Sequence, residues 1–99
     1  MSAKKPPQPG QTVSKELTIQ NKLGIHARPA ALFVKTANRF ECDIYVEKGG
    51  EKVNGKSIMG LLMLTAGPGT KLTIHADGPD AQAALGELET LIEQKFYEE

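Results

Sequence analysis

The sequence predicts an α+β domain: an open-faced β-sandwich in which a four-stranded antiparallel sheet is covered on one face by three helices, in the order β-α-β-β-α-β-α. Three observations predict it. Apolar residues recur at helical spacing in three separate segments, around Ala30–Ala37, Ile58–Leu64 and Ala81–Ile92. In Lys71–Asp77, Leu72, Ile74 and Ala76 alternate with Lys71, Thr73 and His75, the two-residue period of a strand with one buried face. Finally, Gly49-Gly50 joins two short runs, CDIYVEK and EKVN, as a hairpin. With the central pair a hairpin, one antiparallel sheet with all helices on one side buries every stripe.

Taken in order, residues 1–12 combine Lys4 and Lys5 with Pro6, Pro7, Pro9 and Gly10. They offer nothing to bury against the entropy of ordering, and read as a flexible tail before a domain at 13–99. From Val13, Leu17 and Ile19 mark the first strand, which Gly24 breaks. Ala30, Phe33, Val34 and Ala37 form the stripe of a helix starting near Pro29, a residue suited to a first turn, and Asn38 helps end it. Ile44 and Val46 face inward on the second strand. Ser57 is placed to N-cap the next helix, which Gly67-Pro68-Gly69 stops. After the fourth strand, Gly78-Pro79-Asp80 starts a helix whose inner face is Ala81, Ala84, Leu85, Leu88, Leu91 and Ile92.

At 99 residues the chain supports one core, with little room for a large substrate cleft. Lys+Arg and Asp+Glu are both 12, and aromatics are 5%. Balanced charge and few stacking side chains argue against nucleic-acid binding. No apolar run approaches the roughly 18 residues of a spanning helix, so membrane insertion is not expected. The start lacks the apolar section of a signal peptide, and a cytoplasmic location is expected. Cys42 has no disulfide partner and no neighbours at metal-ligand spacing; it reads as a small core residue, and neither metal nor cofactor is expected.

The segment Gly24-Ile25-His26-Ala27-Arg28-Pro29-Ala30 carries the chemistry. A histidine falls just before a helix N-terminus, whose first amides lack internal partners and carry the positive end of the helix dipole. Those amides can receive phosphate oxygens, and small Ala27 leaves them accessible. Arg28 can add forked, charge-assisted hydrogen bonds that lysine would not reproduce. Imidazole supplies a nucleophilic nitrogen that is neutral in a useful fraction near pH 7.

LGIHARPAALFVKTA and, about 30 residues on, VNGKSIMGLLML resemble the two signatures of the histidine-containing phosphocarrier family HPr. The resemblance covers about residues 13–96. It implies that His26 is phosphorylated on Nδ1 by phosphoenolpyruvate-dependent enzyme I and passes the phosphate to IIA domains of sugar permeases. Arg28 matches the family's active-site arginine. Ser57 matches a regulatory serine modified by an ATP-dependent HPr kinase/phosphorylase; a helix cap alone would also explain a serine there. The resemblance implies a carrier turned over by its partners, not an enzyme, and a monomer is expected.

The second helix is apolar nearly all round. Leu61 and Leu64 suit the core, and Ile58, Met59 and Leu62 are expected to form a docking patch beside the active site, where flexible methionine suits several partners. His75 reads as a solvated strand residue without a role, and Glu87, Glu89, Glu93, Glu98 and Glu99 as a solvated acidic face. Two alternatives stand beside the sugar-transport carrier. One is a nitrogen-regulatory paralogue of the same fold. The other is a small enzyme using His26 as general base, against which stands the lack of any evident carboxylate to orient that histidine.

Overall fold

The computed structural model describes residues 12–98. The expected tail at 1–12 lies outside them except for Thr12. That residue pairs with Asp77, so strand β1 is Thr12–Thr18 and begins one residue before the expected boundary. There follow α1 (Ala27–Ala37), β2 (Asp43–Lys48), β3 (Glu51–Asn54), α2 (Ile58–Met63), β4 (Lys71–Asp77) and α3 (Ala81–Glu93). The sheet order is β1-β4-β2-β3 with every neighbouring pair antiparallel. The helices cover one face, as expected.

Each stripe read from the sequence is buried. Ala30, Phe33, Val34 and Ala37 of α1 meet Leu72, Ile74 and Ala76 of β4 and the six inner residues of α3 in one core with Leu61 and Leu64 of α2. Cys42, read as a small core residue, is only 1% exposed. Burial pushes its thiol up to about 11, with the neighbouring Asp80 carboxylate adding to the rise. Asp80 stands at the N-cap of α3 but makes no side-chain cap. Its two carboxylate oxygens instead accept the backbone N–H groups of Glu41 and Cys42, each at 2.9 Å. Those amides, the Glu41 N–H foremost, hold the Asp80 carboxyl below the usual range.

His75 corrects the sequence reading. It does face outward, yet its ring bridges three strands: Nδ1 meets Ser14 Oγ of β1 and Nε2 meets Glu47 Oε1 of β2, both at 2.8 Å. A strand lying between two others places its outward side chains within reach of both, which alternation within one strand cannot reveal.

Beyond α3 the chain makes an unexpected left-handed turn over Lys95–Tyr97, with φ of 55°, 56° and 59°. Left-handed backbone costs L-residues about 1–2 kcal/mol each. Phe96 offsets part of that: it is 1% exposed, and burying such a side chain is worth about 1.5–3 kcal/mol. Backbone bonds from Tyr97 N to Gln94 O (2.9 Å) and Glu98 N to Lys95 O (3.0 Å) close the turn and deliver Glu98 back across the domain.

Candidate functional site

His26 is the N-cap of α1, in extended conformation and with no side-chain cap bond. The helix starts two residues before Pro29. His26 N–H is used on Gly24 O, and proline at the third helical position has no N–H to leave unpaired. The amides of Ala27 and Arg28 therefore remain, without partners among the described residues, at the positive end of the helix. Both residues are exposed.

Gly24 sets the approach to this helix. Its φ is 68°, and a Cβ there would lie 2.3 Å from Ala66 O and 2.6 Å from the Gly67 Cα. Only glycine allows that contact, and it lets the Ile25 N–H reach Ala66 O at 2.8 Å. The His26 turn is thereby fixed to the chain leaving α2. At the other end of α2, Lys56 Nζ donates to Phe40 O, just past the end of α1, at 2.7 Å. The two helices thus run antiparallel. Met63 lies toward the histidine and Ser57 away from it, separated by a six-residue helix about 9 Å long.

The segment around His26 holds no carboxylate to orient the ring, but the chain end supplies one. Glu98 Oε2 lies 2.9 Å from His26 Nε2. Its other oxygen, Oε1, accepts from Asn21 Nδ2 at 2.9 Å, and Asn21 Nδ2 also donates to Gly24 O at 2.7 Å. Both Asn21 partners are acceptors, so the amide orientation is fixed; its Oδ1 is buried with no donor among the described residues. Asn21 is only 1% exposed and Glu98 16%, whereas His26 is 37% exposed. With Glu98 as a carboxylate, which only accepts, the bond requires a proton on Nε2, and in the neutral ring this leaves Nδ1 its lone pair. The sequence pattern places Glu98 on a solvated face, and no local signal marks it otherwise. The left-handed turn alone brings it 72 residues back to His26.

Arg28 has no ion-pair partner among the described residues and opens, with Lys22, Leu23, Tyr97 and Glu98, onto a cleft of about 430 Å³. Lys22, Leu23 and Tyr97 were not singled out in the sequence; Leu23 and Tyr97 are 71% and 69% exposed. Ser57 caps α2 as expected, its Oγ accepting the Gly60 N–H at 3.0 Å. Of the expected patch, Ile58 and Met59 are exposed, while Leu62 is partly buried against the core and Met63 is exposed in its place. No group of side chains among the described residues could hold a metal ion, and no helix there is long and apolar enough to cross a membrane.

A half-exposed imidazole with one bare nitrogen, two unpaired helix amides and a guanidinium nearby can accept a phosphoryl group and hold its oxygens. The fold and this arrangement define a class of small phosphate-receiving α+β proteins. The family model for the PTS HPr component phosphorylation site matches residues 13–94. HPr-like protein Crh of Bacillus subtilis is 47% identical, over 84% of this chain and 98% of Crh. Phosphocarrier protein HPr of Pseudomonas aeruginosa is 49% identical, over 84% of this chain and 93% of that protein. Among solved structures, HPr-C-His from Thermoanaerobacter tengcongensis superposes with a TM-score of 0.85 at 48% identity, over 88% of this chain and 98% of that one. HPr of that organism is also known as a dimer, with a TM-score of 0.71 at 50% identity over 83% of this chain and 94% of the other. The chain belongs to the HPr family of phosphocarrier proteins.

Proposed function

We propose that this carrier takes a phosphoryl group from phospho-enzyme I onto His26 Nδ1 and gives it to IIA domains of sugar permeases. The observation that carries this reading is the Glu98 hydrogen bond, which occupies Nε2 and leaves Nδ1 bare beside the Ala27 and Arg28 amides. In the transfer the Nδ1 lone pair forms an N–P bond as the donor's bond to phosphorus breaks. The ring, still protonated at Nε2, becomes positively charged. Glu98 offsets that charge, and the Ala27 and Arg28 amides and the Arg28 guanidinium receive the phosphate oxygens. When the N–P bond breaks, its electron pair returns to Nδ1 and the Nε2-protonated ring leaves as neutral imidazole, a better leaving group than the imidazolate a ring without that proton would release, so the same contact keeps the phosphate transferable to the next acceptor. Incubation with phosphoenolpyruvate and enzyme I should give one acid-labile phosphate per chain, and none in His26→Ala. A His26→Ala protein that still takes phosphate would refute the assignment.

Ile58 and Met59 at 41% and 68% exposure, with Leu62 behind them, support docking of enzyme I along α2. That edge is continuous with the His26 turn through the Ile25–Ala66 bond, and α2 contributes no acidic residue to it. Lys22 and Arg28 beside the histidine suit an acidic rim on the donor. Met59→Glu should weaken association with enzyme I at least tenfold, because an unpaired charge would be desolvated, yet leave folding nearly unchanged. Unaltered affinity would remove the patch from this account. The reading takes the carrier to be cytoplasmic and monomeric, which sedimentation at working concentrations tests.

The similarity to Crh favours a second, regulatory role through Ser57. We take Ser57 to be a substrate of HPr kinase/phosphorylase. Its Oγ is half-exposed at the N-cap, where a phosphate dianion gains from the helix dipole. Since Ser57 is a helix length away from His26, its phosphate would act on docking rather than on the histidine. Kinase and ATP should modify the wild type and not Ser57→Ala.

A further inference from the structure

The chain has four sulfur atoms, in one cysteine and three methionines, and Met1 lies outside the described residues. The other three differ sharply in what an oxidant can reach. Cys42 is 1% exposed, and burial raises its thiol to about 11, so reactive thiolate is scarce near neutrality. Met59 and Met63 are 68% and 67% exposed. Spaced i, i+4 on α2, they present both thioethers on one side of a short helix. The helix's hold on the core comes from Leu61, which is 0% exposed, and from Leu64 just beyond it. Oxidation of the two methionines would therefore change the surface without opening the core.

We infer that Met59 and Met63 form a reversible oxidation site through which peroxide lowers the docking of this carrier on its phosphoryl donor. The inference rests on the carrier reading and on docking along α2. In the chemical step a sulfur lone pair attacks one peroxide oxygen. An S–O bond forms and the O–O bond breaks, and the departing hydroxide takes the remaining peroxide proton to give water. Sulfur is oxidised by two electrons and peroxide is reduced. The product is a sulfoxide, a polar hydrogen-bond acceptor where a soft apolar group had been. Met63 stands at the end of α2 joined to the His26 turn and Met59 at the Ser57 end, so the pair spans the docking edge. Covering a sulfoxide oxygen without a matching donor weakens association roughly tenfold per group. The modification differs from a phosphate on Ser57 in adding no net charge, so its effect persists at high salt.

The test treats the full chain with hydrogen peroxide, locates sulfoxides by peptide mapping, and follows two phosphorylations of His26. One uses phospho-enzyme I. The other uses phosphoramidate, a small donor that needs no docking surface. Sulfoxides at Met59 and Met63, a KM for enzyme I raised roughly tenfold or more, an unchanged rate with phosphoramidate and recovery with methionine sulfoxide reductases support the inference. In Met59→Leu/Met63→Leu the ratio of oxidised to untreated KM should return to about one, whatever the variant's own starting value. An unchanged KM in the oxidised wild type, an equal rise in the double variant, or loss of the phosphoramidate reaction overturns it. An untreated protein that accepts phosphate from phosphoramidate but not from enzyme I overturns the docking reading and this inference with it. One that accepts it from neither overturns the assignment of His26 first.

Discussion

Glu98 and Asn21 act on His26 through the position of one proton. In Glu98→Gln the side-chain amide can either accept from Nε2–H or donate to a bare Nε2, so the ring is no longer held in one tautomer. Nitrogen NMR of the imidazole should show Nε2–H dominant in the wild type and a mixture in the variant. Transfer from enzyme I should fall about tenfold, the loss expected for a hydrogen bond to a charged group. An unchanged tautomer ratio would show that Glu98 does not choose the nitrogen. Away from the site, Asp80 and Cys42 each add a pH dependence to stability. The Asp80 carboxyl is held low by the Glu41 and Cys42 amides, so its contribution is present above the unfolded value near 3.8 and is lost as pH falls through the lower folded value. Asp80→Asn should remove that part of the acid dependence. Cys42 has the opposite sign: raised from 9.0 to about 11, it contributes stability below 9 that disappears as pH climbs toward 11. Thermal melts of Cys42→Ala across that alkaline range should be flatter than those of the wild type, although lower throughout from the small cavity left behind.

Among the elements, α1, α3 and β4 were legible in the sequence because their signals are local: a stripe at 3.6 residues or an alternation at two. The Ser57 cap was legible for the same reason, one hydroxyl and an amide three residues on. The turn at Lys95–Tyr97 was not, because no residue in it favours left-handed backbone and the reward lies in a distant pocket filled by Phe96. With that turn unread, Glu98 could not be placed, so the histidine and its arginine were visible while the carboxylate and Asn21 were not. The turn's energetics give a direct prediction. Glycine adopts φ near 55° without the Cβ penalty, so Lys95→Gly should stabilise by up to about 1 kcal/mol once its own unfolded-state entropy is subtracted. Phe96→Ala should cost about 3–5 kcal/mol and release Glu98 from His26. Denaturant titration checks the first, and the imidazole NMR signals check the second. Gly24→Ala should be worse tolerated than any exposed glycine, since its methyl would fall on the Ala66 carbonyl.

For the molecule as a whole, order along the chain and order in the sheet disagree. β4 is the last strand in sequence and sits between β1 and β2. Its position follows from Leu72, Ile74 and Ala76 being the most continuously apolar strand face, which belongs at the middle of the core. The pairing of Val13 with Ala76 closes a loop of more than sixty residues, so chain-entropy cost is met late and folding should be slower than for a helical domain of this size. A chain cut after Gly69 would still contain the residues of α1 and of the β2–β3 hairpin, yet β1 would have no neighbour and β2 only β3. Its circular dichroism should be that of an unfolded protein. During synthesis, then, His26 leaves the ribosome well before the strand that closes the sheet beneath it, and β1 waits with both edges bare. Until β4 arrives, any other β4 nearby offers the same register. Crowded nascent chains are thus the setting in which two copies should exchange first strands, and a lower density of ribosomes on the message should favour chains that close on their own β4.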